Sequence, residues 1–151
     1  MKTLSIVIPA RNEAAGIAAT LGALQPLRAA GHEVILVDGG SHDGTPVLAT
    51  PLADRVLSAP PGRARQMNAG AALATGELLL FLHADTRLPQ GAAALVATAL
   101  ETRTWGRFDV RIAGRPWLLC AVAWMMNGRS RLTGIATGDQ AIFVRRAVFA
   151  E

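Results

Sequence analysis

Apolar residues in this chain fall in short dense runs, each ending abruptly at polar or small residues. The densest is Leu78-Leu79-Leu80-Phe81-Leu82, introduced by Gly76-Glu77 and halted by His83 and Asp85. Five large apolar residues without alternation predict a strand buried on both faces, as in the middle of a parallel sheet. Leu4 to Pro9, interrupted only by Ser5, predicts a first strand, Val34 to Val37 a second and Arg55 to Leu57 a short third. Between these runs the period lengthens, with Ile17, Leu21, Leu24 and Leu27 at helical spacing. Thr45-Pro46 reads as an N-cap and a first helical residue. Gly62 to Thr75 predicts a helix packed on the sheet through Ala64, Ala69, Ala71, Ala72 and Ala74, and Pro89 opens an alanine-rich helix to about Glu101. Arg107 to Ile112 sets Phe108, Val110 and Ile112 against Arg107, Asp109 and Arg111, the alternation of a half-buried strand in an antiparallel or edge position. Pro116 to Met126 follows as an apolar helix, Asn127 to Leu132 as a polar connection, and Ala141 to Val144 as a short strand before a helix starting at Arg145-Arg146. Strands alternating with helices in this way predict an α/β fold with a mostly parallel sheet sandwiched by helices.

In such sheets ligands bind in the crevice beyond the carboxyl ends of the strands, so the residues that end each run carry the chemistry. His83 and Asp85, two positions apart at a strand end, would point the same way and hold a divalent metal or a phosphate-bearing ligand; a capping Asp is the plainer reading. Asp38 ends the second strand, where a carboxylate accepts hydrogen bonds from a base or ribose, whereas Ser41 and Asp43 are expected to satisfy loop amides. Arg63, Arg65 and Asn68 lie near a helix start, where the positive end of the dipole attracts phosphate. A solvated face fits Arg63 better than Arg65. The turn after the first strand lacks Gly-x-Gly-x-x-Gly, which excludes the usual dinucleotide fingerprint there and leaves binding to side chains as well as backbone.

Composition narrows the partners. At 151 residues one domain is expected, and 51% hydrophobic against 17% charged residues excludes a disordered chain. The net charge of +4 comes from Lys2 and otherwise from arginines scattered along the chain. That spread predicts no nucleic-acid face but suits a diphosphate-bearing small molecule. The lone Cys120 excludes a disulfide framework and reads as a small buried residue of a helix in a reducing compartment. The amino terminus carries no signal-peptide pattern, and Trp117 to Met126 is far shorter than the roughly 20 residues of a spanning helix, so a cytoplasmic protein is expected. Trp117, Trp124, Met125 and Met126 beside Arg115, Arg129 and Arg131 would also suit peripheral contact with a membrane face, but a buried core or a homo-oligomer helix explains the same residues.

Four segments in order resemble glycosyltransferase family 2, the inverting transferases with a GT-A fold. They are Ser5-Ile6-Val7-Ile8-Pro9-Ala10-Arg11-Asn12-Glu13; Val37-Asp38-Gly39-Gly40-Ser41-His42-Asp43-Gly44-Thr45; Asn68-Ala69-Gly70 leading to Thr75-Gly76-Glu77 and Phe81-Leu82-His83-Ala84-Asp85; and Gly138-Asp139-Gln140 before Phe143-Val144-Arg145-Arg146. The resemblance implies one GT-A-type domain over 1–151, without the carboxyl-terminal part that relatives carry. It further implies transfer of a sugar from a nucleoside diphosphate donor, usually uridine-linked, to the hydroxyl of a saccharide or lipid-linked acceptor. Asp85 matches the last acidic residue of the family's Asp-x-Asp motif, which holds Mn²⁺ or Mg²⁺ against the diphosphate, and Asp139 matches the catalytic base. Pro9, Ala10, Arg11, Glu13, Asp38, Gly39, Arg65 and Ala84 fall on the donor nucleotide. Three residues depart from the pattern. His83 replaces the first Asp of the metal motif, which lowers the site's negative charge and favours Mn²⁺ or a softer ion. Gly39 replaces the second Asp of Asp-Asp-Gly-Ser, which often recognises the base, and Arg11 stands where an aromatic is common. The alternative is a nucleotide-sugar binding module without turnover, favoured by His83, Gly39 and the chain's end at Glu151. A metal-dependent phosphohydrolase would need a nucleophile or a second metal cluster that the sequence does not display.

Overall fold

The computed structural model of the protein describes residues 2–109, 117–133 and 140–149. Its elements run β1 (Leu4–Ala10), α1 (Ile17–Ala23), α2 (Gln25–Ala29), β2 (Glu33–Asp38), α3 (Thr45–Ala49), β3 (Arg55–Ser58), α4 (Arg63–Leu73), β4 (Leu78–Phe81), α5 (Ala92–Thr102), β5 (Trp105–Arg107), α6 (Trp117–Thr133), β6 (Ile142–Arg145) and α7 (Arg146–Phe149). The six strands form one sheet in the order β3-β2-β1-β4-β6-β5. β1 pairs in parallel with β2 and β4, and β2 with β3, whereas β6 runs antiparallel to both β4 and β5. The order reverses at β1, from which the chain first steps outward to β2 and β3 and then returns to β4 on the other side. Such a switch leaves a crevice at the carboxyl ends of the flanking strands.

β1 is buried along its whole length because helices cover both faces. Leu4, Ile6 and Ile8 join Val34, Leu36, Leu78 and Leu80 on one face, under Ile17 and Leu21 of α1, Ala49 of α3 and Val96 and Leu100 of α5. Val7, Ile35, Val37, Leu79 and Phe81 line the other, under Met67, Ala71 and Ala74. At about 25 cal/mol per Å² of apolar surface removed from water, these two layers drive the fold. Ser5, the polar break in the first run, is fully buried and paired: its hydroxyl donates to Glu33 and accepts from the amide of Gly76 at 2.9 Å.

Several boundaries differ from expectation. The 17–27 periodicity divides into α1 and α2 at Leu24 because Pro26 lies in the first turn of α2. A proline inside a continuous helix would lose a hydrogen bond and clash with the carbonyl four residues back. Gly44, at φ 85°, caps α3 in place of Thr45. α5 starts at Ala92 after Gly91, not at Pro89, and β6 is shifted one residue to Ile142–Arg145. The outer strand is Trp105–Arg107, at the sheet edge and antiparallel as expected but displaced towards the amino terminus; residues 110–112 of the alternating stretch lie outside the described residues. α6 continues through the stretch expected to be a polar connection. Cys120 is exposed rather than buried. Trp124 at 76% and Met125 at 57% exposure are likewise not core residues. No helix among the described residues is long and apolar enough to cross a membrane.

α4 meets the sheet through a narrower stripe than its alanines suggest, with Gln66, Gly70, Ala71 and the following Ala74 buried while Ala64 and Ala72 are exposed.

One buried titratable group makes stability depend on pH. The amide of Leu4 donates to Nδ1 of His32 at 3.2 Å, and burial lowers the His32 pKa below its ordinary 6.5. The fold therefore prefers the neutral imidazole: this contribution is complete above 6.5 and is lost as pH falls through the lower folded-state value. The shifted carboxylates, Asp43 and Asp54, titrate from 3.8 downward and do not interfere in that window. Thermal melts at about pH 7.5 and about pH 5.5 should show a fall in midpoint that a His32→Gln variant largely lacks.

Candidate active site

A cavity of about 280 Å³ opens at the carboxyl ends of β1 and β4. Pro9, Ala10, Arg11 and Glu13 line it from β1 and its loop, Gly62, Arg63 and Gln66 from the start of α4, and His83, Ala84 and Asp85 from the turn after β4. A larger hollow of about 390 Å³, between Lys2, Glu77, Leu78, Arg145 and Arg146, lies at the opposite end of β4. Binding crevices of parallel sheets form at the carboxyl ends, which favours the smaller cavity.

The loops after β1 and β2 hold each other. Asn12, at φ 55°, donates its amide to Ser41 Oγ at 2.8 Å, and its side-chain oxygen accepts from the amide of His42 at 2.9 Å. The amide of Glu13 donates to Thr45 Oγ1 at 2.9 Å and that of Ala14 to Asp43 at 2.9 Å. Hydrogen bonds from the Thr45 side chain and from the Ala14 and Thr45 amides hold the Asp43 pKa below its ordinary value, so this clamp stays ionised at neutral pH. The two loops thus present Arg11 and Glu13 to the cavity from a fixed backbone.

Asp38, expected at the nucleotide, is 5% exposed, and its carboxylate accepts from the amides of Gly40 and Ser41 at 3.0 Å and from the Ser41 hydroxyl. It closes the loop and does not line the cavity. Gly39 also stays off the wall and lies beneath Gln66. Of the two arginines at the start of α4, Arg63 lines the cavity, whereas Arg65 is exposed and off its wall. His83 and Asp85 do share the cavity, but not by strand alternation: β4 stops at Phe81 and a turn closed by the Thr86 amide on the His83 carbonyl at 3.0 Å presents them. Thr20 anchors that turn by donating to the Ala84 carbonyl. Asp139 lies outside the described residues. Its neighbour Gln140 is buried, with its side-chain oxygen accepting from Ser130 Oγ at 3.1 Å and its carbonyl from the amide of Phe108 at 2.8 Å.

Gln66, like Gly62, lines the cavity without belonging to any of the motifs. The signal was present: it falls four residues before Gly70 and eight before Ala74, a polar side chain on the stripe of α4 that packs on the sheet.

Among the described residues no three His, Cys, Asp or Glu side chains gather as a metal cluster. The buried imidazole of His83 and the exposed carboxylate of Asp85 face one cavity from the turn after β4, with Glu13 on the wall that the β1 loop supplies. Divalent ions in nucleotide sites take few protein ligands and complete their shell with phosphate oxygens and water, so this donor set fits a metal bound together with a diphosphate.

A model of glycosyl transferase family 2 matches residues 5–117. The chain belongs to glycosyl transferase family 2. Among curated relatives, a PGL/p-HBAD biosynthesis glycosyltransferase of Mycobacterium tuberculosis (strain H37Rv) is 40% identical over 91 residues, which is 56% of this chain and 36% of that protein. The chain thus spans about a third of the length of the curated relatives it matches. Among solved structures, glucosyl-3-phosphoglycerate synthase from Mycobacterium tuberculosis, in complex with Mn²⁺, UDP and glucosyl-3-phosphoglycerate, superposes with a TM-score of 0.69 at 23% identity over 97% of this chain and 58% of that one. A mannosyltransferase from Pyrobaculum calidifontis, in complex with GDP-Man and Mn²⁺, gives 0.72 at 24% identity over 99% of this chain and 46% of that one. These structures establish the fold as the GT-A arrangement of the family.

Proposed function

We propose that the chain binds a nucleoside diphosphate sugar, UDP-linked, in the cavity at the ends of β1 and β4 and transfers the sugar to an acceptor hydroxyl with inversion. One observation supports this above all: the cavity gathers Pro9, Ala10, Arg11 and Glu13 with His83, Ala84 and Asp85, two segments far apart in sequence. Asp85 and His83 would hold Mn²⁺ or Mg²⁺, and the two solved relatives that contain Mn²⁺ with UDP or with GDP-Man support a divalent ion in this role. The bound ion would neutralise charge on the departing diphosphate. Arg63, at the positive end of α4, is better placed than Arg65 to add to that neutralisation. Arg11 would lie against the nucleoside, its guanidinium able to stack on a base. Asp139 would take the proton of the acceptor hydroxyl as its oxygen attacks the anomeric carbon opposite the leaving diphosphate.

Calorimetric titration with nucleoside diphosphates, with and without Mn²⁺, is expected to give Mn²⁺-dependent binding of UDP. An Asp139→Asn variant should keep that affinity while release of UDP from a UDP-sugar falls by on the order of 10²-fold or more, the usual contribution of a general base. Donor binding with no turnover and no effect of the variant would instead identify a binding module. Failure of every nucleoside diphosphate to bind would sink the reading altogether.

A further inference from the structure

Gln66 is 3% exposed, and both N–H bonds of its side-chain amide are used: Nε2 donates to the carbonyls of Ala10 at 2.9 Å and Val37 at 2.8 Å. Those two acceptors settle the orientation of the amide, because a flipped group would set its oxygen against two carbonyl oxygens. Oε1 is therefore the atom turned away from the strand ends. Among the described residues it receives no hydrogen bond, and Gln66 lines the cavity. The amide also lies flat on Gly39, where an added Cβ would come within 2.9 Å of Cδ, Nε2 and Oε1 at once. Only glycine at 39 leaves the amide where it is. The result is a neutral acceptor, clamped on three sides and offered to whatever occupies the cavity, with little ordering left to do on binding.

Its place along the sheet says which part of a ligand it meets. Ala10 ends β1 and Val37 lies next to the end of β2, so Gln66 sits over the β1–β2 seam, while His83 and Asp85 follow β4 on the far side of β1. Strands spaced about 4.8 Å apart put roughly 7 Å between the two along the sheet. A nucleotide with its diphosphate beside Asp85 would carry its base towards Gln66.

We propose that Gln66 is a specificity-determining residue that reads the base of the donor, its Oε1 accepting a hydrogen bond from a ring N–H such as N3–H of uracil. This rests on the reading of the cavity as a nucleoside diphosphate site. Cytosine presents an unprotonated ring nitrogen at that position, which would set two acceptors against each other and leave both unpaired. An unpaired polar pair of this kind weakens binding by about tenfold to a hundredfold.

The test is calorimetry in the presence of Mn²⁺ with UDP and with UDP methylated at N3, which differ at the one N–H. The unaltered protein is expected to bind UDP about tenfold to a hundredfold more tightly. In Gln66→Met, and separately in Gly39→Ala, which displaces the amide without changing residue 66, the ratio should fall to about one, whatever happens to absolute affinity. A side chain that merely staples α4 to the strands would weaken both ligands by the same factor and leave the ratio intact; that outcome, or equal binding of the two ligands by the unaltered protein, overturns the assignment alone. If no nucleoside diphosphate binds, the reading of the cavity fails and takes this assignment with it.

Discussion

Asp85→Ala is expected to lower kcat/KM for the donor by about 10³ to 10⁴-fold, with little change in stability. The carboxylate is exposed on the cavity wall, and its hydrogen bond from Thr86 Oγ1 is long at 3.3 Å, so it contributes little to the fold. Its proposed work is on the metal. Because no third His, Cys, Asp or Glu gathers with them as a metal cluster among the described residues, removing the carboxylate of the His83–Asp85 pair would leave an imidazole to hold a dication. Charge stabilisation by a catalytic metal amounts to several kcal/mol, and each 1.36 kcal/mol is about tenfold in rate, which gives the expected factor. The measurement is steady-state turnover alongside Mn²⁺ titration of UDP binding, with thermal melts to show a change within about 0.5 kcal/mol of the parent. Turnover and Mn²⁺ dependence within a few-fold of the parent protein would remove Asp85 from the metal site.

The second large effect is on stability. A Cβ at Gly70 would lie 2.4 Å from Cγ1 of Val7 and 2.9 Å from Cγ2 of Val37, both fully buried β-branched side chains of adjacent strands. Alanine in a helix is favoured over glycine by about 1 kcal/mol, but overpacking a rigid core typically costs about 1–3 kcal/mol, and a contact this short belongs at the upper end. Gly70→Ala should therefore lower the melting midpoint by several degrees, at about 2–4 °C per kcal/mol for a chain of this size. Gly70→Val should do worse. Combining Gly70→Ala with Val7→Ala should recover part of the loss, because it removes the nearer of the two atoms in conflict. Equal stability of Gly70→Ala and the parent would mean that α4 can withdraw from the sheet at no cost.

Much of the fold was legible in the chain because its determinants are local. The Leu78–Leu82 run and the Leu4–Pro9 run each carry a two-sided burial pattern in a few consecutive residues, and β1, β2, β3 and β4 stand within a residue of where those runs put them. The crevice was legible for the same reason, since a strand that ends in polar residues declares its end wherever it pairs. Harder were elements whose pattern is shared between structures. The alternation of 107–112 marked a strand near the right place, but the described one is Trp105–Arg107, where Gly106 lies against the Phe143 ring of β6. Exposure along α6 was not legible either, because an apolar helix reads alike whether it packs inward or faces outward.

What residue order settled was therefore the element types, the parallel core and the crevice at the strand ends. The placement of individual side chains was decided in three dimensions. Asp38 became a loop clamp and Arg63 rather than Arg65 reached the cavity wall. Gln66 turned from an unremarked helix residue into the bridge between two strand ends. The physical reason is range: burial periodicity is written within a few residues, whereas a hydrogen bond between residues 29 to 64 positions apart depends on which strands lie side by side, and no local pattern encodes that.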